Sequence, residues 1–358
     1  MKFGFSALLV GLVSCALIMV PMEAEAGGKV RAKSAKTAKS AGSAVKGKSA
    51  RTPSKKVQVS FKRLSAKQRL QISRKSQHGM MLAKRGPVGA RVTRVASLPS
   101  TLDSDLALYS SAALVVNEVS GERIYEKNAQ SVQPIASITK LMTAMVVLDM
   151  HLPLDELVQI TDYDVDTLKY SGSRLLVGTT LTRGEMLHLA LMSSENRAAH
   201  ALARTAPGGL ETFVARMNRT AQSLGMRNTH FVDPTGLNSG NVSTPEDLVR
   251  LVQAAHHYPE IRSYSTSDGY TFVSSMNGRE YTFHNTNPLV KAQNWDIGVS
   301  KTGFISEAGK CLVMQAVIND SPVIMVLLAS RTKTSRIEDA RGIKRWLETS
   351  PGAKLRAG

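Results

Sequence analysis

Two serines, two lysines and an asparagine in this chain fall into spacings that suit nucleophilic attack on an acyl group. Ser137 and Lys140 are the ends of Ser137-Ile138-Thr139-Lys140, and residues three apart on a helix share one face. A lysine partly withdrawn from water there has a lowered pKa. A neutral amine beside a hydroxyl can take its proton as the oxygen attacks. Ser194-Glu195-Asn196 follows 57 residues after Ser137: a hydroxyl suited to relay a proton to a leaving amine, and an amide suited to hold a substrate carbonyl and the lysine. Lys301-Thr302-Gly303 begins 107 residues further on. It adds positive charge, a hydroxyl, and a glycine beside which a substrate backbone can lie close. Singly these patterns are cheap. Ser43 and Lys46 repeat the first spacing, and Ser239 with Asn241 or Ser275 with Asn277 repeat the second. Helix caps and a strand-end turn would account for such fragments.

The elements around them make the combination more specific. Ile135, Ile138, Leu141, Met142, Met145, Val146 and Leu148 make the segment carrying Ser137 apolar on nearly every side, which predicts a helix buried inside a domain with Ser137 and Lys140 on its first turn. Thr182-x-x-Glu185 reads as a capping box opening a helix through Met192. Ser193 to Asn196 break it, and a second helix runs to about Thr205. Thr244 and Pro245 open another as cap and first helical residue. Ala112–Asn117 and Arg123–Glu126 read as strands around a Ser120-Gly121 turn. Val299–Phe304, Lys310–Ile318 and Val323–Ser330 read as three late strands, the last two joined across Asn319 to Pro322. Arg336 to Glu348 reads as a closing helix. Two early strands, a helical insertion, three late strands and a helix predict one α+β domain over residues 103–350, long enough for a full core.

Ser-x-x-Lys on a buried helix, Ser-x-Asn in an inter-helix turn and Lys-Thr-Gly on a strand, in that order, resemble the arrangement of penicillin-binding proteins and serine β-lactamases. Within that group, His230-Phe231-Val232-Asp233-Pro234-Thr235-Gly236-Leu237 followed by Ser243-Thr244-Pro245-Glu246-Asp247-Leu248 is similar to a stretch of the low-molecular-mass D-alanyl-D-alanine carboxypeptidase/endopeptidase family. So is the pair Lys301–Phe304 and Lys310–Val313. The resemblance implies a β-lactamase/transpeptidase-like fold with a five-stranded antiparallel sheet flanked by helices, and a serine peptidase acting on D-Ala-containing peptides of peptidoglycan, with β-lactams as covalent inhibitors. It makes Ser137, Lys140, Ser194 and Asn196 the catalytic set, and Lys301, Thr302, Gly303, Phe304 and Arg336 the substrate-binding set. The N–H groups of Ser137 and Phe304 are then the oxyanion hole, and Arg336 takes the carboxylate flanking the scissile bond. The sequence departs from class A β-lactamases at Val232 to Asn238, where their Glu-x-x-Leu-Asn glutamate is missing, so a penicillin should remain attached. It also stops within ten residues of Glu348, which resembles the endopeptidase branch and suggests cross-links as substrate. Trimming of pentapeptides by a carboxypeptidase is the nearest alternative. A non-catalytic wall-binding protein is the alternative from another class. A zinc hydrolase has only His151-x-x-x-Asp155 in its favour, and no metal or cofactor is expected.

The amino end places this chemistry outside the cytoplasm. Lys2, an apolar run from Phe3 to Val20 and Ala24-Glu25-Ala26 read as an export signal over residues 1–26. An uncleaved anchor, or a lipoprotein cut before Cys15, are the other readings. The expected location is the periplasm, in association with membrane or wall. The formal charge of +18 is unevenly held. Residues 27–102 carry 20 lysines and arginines and no acidic residue, whereas 25 cations face 26 anions from Asp103 on. The low-complexity arm should not fold alone. In an exported protein its expected partners are anionic wall or membrane polymers rather than nucleic acid, and a plain tether is the simpler reading. Residues 351–358 read as a tail. Cys15 would leave with the signal, so Cys311 has no partner for a disulfide and reads as a core thiol.

Overall fold

The computed structural model describes residues 106–349. The expected export signal at 1–26, arm at 27–102 and tail at 351–358 lie outside the described residues. The backbone of the fold is an antiparallel sheet of five strands: β1 (Ala112–Asn117), β2 (Arg123–Lys127), β3 (Asp296–Ile305), β4 (Gly309–Ile318) and β5 (Ser321–Ser330), in the spatial order β2-β1-β5-β4-β3. The first and last parts of the chain therefore meet in the middle of the sheet, where Ala113 pairs with Leu327 and Val115 with Met325. Such long-range pairing puts β3, with Lys301-Thr302-Gly303, on an edge.

Both faces of the central strands are covered, which is why β4 and β5 are almost continuously apolar. Alternate residues go to opposite sides. Val313, Ile324, Val326 and Leu328 join a large core shared with the helical insertion. Leu312, Met314, Val323, Met325 and Leu327 join a second core with Ile337, Ala340, Ile343 and Leu347. The latter four lie on the closing helix, Ser335–Thr349. Burying one such aliphatic side chain is worth about 1.5–3 kcal/mol, so this helix and the central strands it packs on are firmly joined.

The insertion carries helices α1 (Thr139–Asp149), α2 (Arg183–Met192), α3 (Asn196–Arg204), α4 (Gly209–Ser223), α5 (Pro245–His256) and α6 (Pro259–Thr266); the closing helix is α7. The expected capping box is present at α2: Glu185 N donates to Thr182 Oγ1 at 3.2 Å, and Thr182 N to Glu185 Oε2 at 2.6 Å. Thr244 caps α5, accepting from Asp247 N at 3.1 Å, and Pro245 stands at its first position.

Two local expectations are corrected, and one unexpected element is added. β5 begins at Ser321 rather than Val323, because Asn319 and Asp320 both take positive φ (50° and 61°) and close a two-residue hairpin turn. Ser137 is not on the first turn of α1. It lies in a separate 3-10 turn, Ala136–Ile138, just ahead of it. A hairpin of Gly269–Val273 and Glu280–His284 was not anticipated. The repeated triads Tyr270-Thr271-Phe272 and Tyr281-Thr282-Phe283 around Asn277-Gly278 were the signal for it.

Candidate active site

The turn that presents Ser137 is held under strain from both sides. Ala136 has φ +48°, a left-handed conformation rare for an L side chain. Two glycines leave room for it. A Cβ on Gly236 would fall 1.9 Å from the Ala136 carbonyl oxygen, and one on Gly303 would fall 3.0 Å from the Ile135 carbonyl and 3.2 Å from Ser137 N. Gly303 thus lets β3 cross the chain's own turn, a constraint that sequence reading had assigned only to the approach of a substrate.

Lys140 lies beneath that turn and is 1% exposed. Lys140 lies on the first turn of α1, three residues after Ser137 and on the same side of the chain, and its Nζ is 2.9 Å from Ser137 Oγ. The amine also donates to Asn196 Oδ1 at 2.7 Å and to the Thr235 carbonyl at 2.6 Å. Burial lowers its pKa to about 7, against smaller opposing effects of Asp233 and Glu195. The Thr235 carbonyl is placed by an elaborate loop. Asp233 Oδ1 accepts from Thr235 N, Thr235 Oγ1 and Gly236 N, and Asp233 Oδ2 from Asn238 N. Asn241 then ties the Asp233 carbonyl to Thr139 Oγ1 through its Nδ2.

Ser194 follows the end of α2 at φ +65°. Glu195 N donates back to the Leu189 carbonyl, six residues earlier, at 3.2 Å, so the helix end closes over a left-handed residue. Ser193 performs the structural part, its hydroxyl donating to the same carbonyl at 2.9 Å. Ser194 Oγ is free to accept from Lys301 Nζ at 2.8 Å. Lys301 is also 1% exposed, and burial, then Lys140 and Arg336, hold its pKa well below the usual lysine value. Thr302 Oγ1 donates to Thr286 Oγ1 at 2.7 Å, and Asn196 Nδ2 donates to Ser171 Oγ at 3.0 Å.

All nine candidate residues converge on one cleft of about 680 Å³. Ser137, Ser194, Asn196, Thr302, Gly303, Phe304 and Arg336 line it, while Lys140 and Lys301 lie beneath its floor. Arg336 Nη1 donates to the Gly303 and Cys311 carbonyls, each at 2.9 Å, and its Nε is buried with no partner among the described residues. The arginine therefore braces β3 and β4 as well as facing the cleft. Cys311 is buried beside it, with burial raising its thiol pKa to about 11. Sequence reading missed Ser171, Thr286 and the Thr235 carbonyl. The last is a backbone atom inside a stretch already singled out, and no side-chain pattern reveals it.

Residues 99–332 match the family described as D-alanyl-D-alanine carboxypeptidase. A D-alanyl-D-alanine endopeptidase of Pseudomonas aeruginosa is 48% identical over 254 residues, covering 71% of this chain and 81% of that protein. Among solved structures, the DD-transpeptidase of Streptomyces K15 is 31% identical, with a TM-score of 0.62 over 67% of this chain and 97% of that one. Penicillin-binding protein D2 of Listeria monocytogenes, in its ampicillin-bound form, is also 31% identical, with a TM-score of 0.57 over 66% of this chain and 96% of that one.

Proposed function

The chain belongs to the D-alanyl-D-alanine carboxypeptidase family and is a serine-type DD-peptidase; on that premise we propose that it splits D-alanyl cross-links of peptidoglycan through an ester on Ser137. One observation carries the role of Ser137: a buried lysine amine 2.9 Å from its hydroxyl, with a pKa near 7. The neutral Lys140 amine takes the hydroxyl proton as Oγ attacks the D-alanyl carbonyl carbon. The N–H groups of Ser137 and Phe304 hold the developing oxyanion. Ser194, in contact with Lys301, passes a proton to the leaving amine, and the C–N bond breaks. Water then cleaves the ester, restoring Ser137. Arg336 and Lys301 attract the carboxylate beside the scissile bond, and Asn196 orients the substrate amide.

The choice of a cross-link over a terminal D-alanine is supported by the Pseudomonas aeruginosa relative, which is named an endopeptidase. The ampicillin-bound relative supports acylation by β-lactams. Retention of that acyl group is supported by the stretch from Val232 to Asn238, which holds no glutamate to activate water and whose Asp233 carboxylate accepts from four donors of its own loop. The leader at 1–26 fits export to the periplasm, where such substrates are found.

Fluorescent penicillin should label the wild-type protein and leave Ser137→Ala unlabelled; labelling elsewhere would end the assignment. Digestion of purified dimeric muropeptides should outpace release of D-alanine from pentapeptide monomers at matched concentrations. The reverse order would make the protein a carboxypeptidase.

A further inference from the structure

The cleft does not end at the nucleophile. Beyond Phe304 and Arg336 it continues along α7 and the turn before it, where Lys310, Lys333, Glu338 and Arg341 line its walls. Three cations and one carboxylate face this outer half. Lys333, Glu338 and Arg341 are exposed, and Lys310 is half-buried over the Phe304 ring. Among the described residues no ion pair joins Lys310, Lys333 or Arg341 to a carboxylate. Elsewhere on this surface exposed cations do find partners, as Arg123 does with Glu126 and Glu246. The unpaired group is also crowded: after burial, the charges of Arg336 and Lys333 lower the pKa of Lys310. Cations held together in a concave wall, outnumbering its one carboxylate and forming no ion pair with it, favour an anion there.

The direction of the cleft says which part of a substrate that anion belongs to. On the reading above, Arg336 takes the carboxylate flanking the scissile bond, so whatever lies beyond it belongs to the leaving group. A released D-alanine ends at that carboxylate. The leaving group of a cross-link is a second stem peptide, with further carboxylates along its length. We propose that Lys310, Lys333 and Arg341 form a subsite for a second carboxylate on the leaving-group peptide, and so favour cross-links over terminal D-alanine. This inference rests on the endopeptidase reading and names what would produce it. The cations make no contact with the reacting atoms; they are specificity residues, and their effect belongs in binding.

The test compares the full chain with Lys333→Ala/Arg341→Ala, two exposed positions whose loss leaves the core intact. Steady-state cleavage is measured on a dimeric muropeptide, on a dimer with the leaving-strand carboxylates amidated, and on a pentapeptide monomer. The ratio of kcat/KM for dimer over pentapeptide should fall about tenfold in the variant, through KM. Amidation should lower it similarly in the wild type and add little in the variant, the coupling expected of groups that touch. The charge-preserving Lys333→Arg/Arg341→Lys should restore most of the preference, and salt should erode it in the wild type more than in the alanine variant. A wild type that prefers dimers with a variant whose ratio is unchanged would overturn the subsite alone. A wild type that prefers pentapeptides would overturn the endopeptidase reading and the subsite together.

Discussion

At Lys140 the chemistry turns on how many hydrogens the amine has to give. Two of its neighbours, Asn196 Oδ1 and the Thr235 carbonyl, can only accept, and each is within hydrogen-bond reach. A neutral amine spends its two hydrogens on them and is left with a lone pair facing Ser137 Oγ at 2.9 Å. The protonated amine has a third hydrogen there and cannot act as base. The sign of the pH dependence follows. Burial brings the pKa down to about 7, so the active, neutral form accumulates as pH rises through that value. Acylation by a fluorescent penicillin, followed by stopped flow, should therefore increase across pH 6–8 and level off above. Lys140→Arg keeps a charge and loses the base, because a guanidinium does not deprotonate. Its acylation rate should fall by about 10²–10⁴-fold and lose the rising limb. A variant with near-wild-type rate would shift the role of base to another group, with Ser194 the next in line.

Among the elements, the two turns that carry hydroxyls share a device: a non-glycine residue in the left-handed region, Ala136 at φ +48° and Ser194 at φ +65°. Such conformations cost about 1–3 kcal/mol and persist only where the surroundings enforce them. For Ala136 the enforcing neighbour is Gly236, itself at φ +79°, where a Cβ would meet the Ala136 carbonyl at 1.9 Å. Gly236→Ala must push the Ser137 turn out of place. It should lower the penicillin acylation rate by at least about a hundredfold, since misplacement by about 1 Å can cost that much, and lower the melting temperature by several degrees. Gly172→Ala is the control, since a Cβ there meets nothing within 4 Å, and it should leave the melting temperature nearly unchanged. Strongly periodic elements were the legible ones. β1 falls at Ala112–Asn117 as read, and both helix caps at Thr182 and Thr244 are made as read, because alternation and capping are local. The convergence of three motifs 57 and 107 residues apart was legible only through resemblance to a family. What stayed hidden was geometry set by distant packing: the 3-10 turn under Ser137, the Thr235 carbonyl, and the cations gathered beyond Arg336. The hairpin from Gly269 to His284 stayed hidden for a different reason. Its buried face is only a few aromatic rings wide, Phe272 stacking on Tyr281 and Phe283.

On the scale of the whole molecule, charge and chemistry are kept apart along the chain. From Asp103 onward 25 cations balance 26 anions, whereas residues 27–102 hold 20 cations and no anion. The groups that react are buried or line a cleft between β3 and the helical insertion, and their pKa values are set by burial and near neighbours. Exposed charges are largely screened beyond about 8 Å at physiological ionic strength. A polycationic segment is drawn to polyanions with a strength that falls as salt rises. We therefore propose that the arm concentrates the enzyme on anionic wall or membrane polymers and leaves each encounter with substrate unchanged. A chain beginning at Asp103 should be acylated by soluble penicillin at the full-length rate. In a pull-down with intact sacculi at low salt it should bind several-fold less than the full chain, and the two should converge as salt is raised. Equal binding at low salt would reduce the arm to a tether, and a slower acylation of the shortened chain would mean that the arm contributes to the cleft.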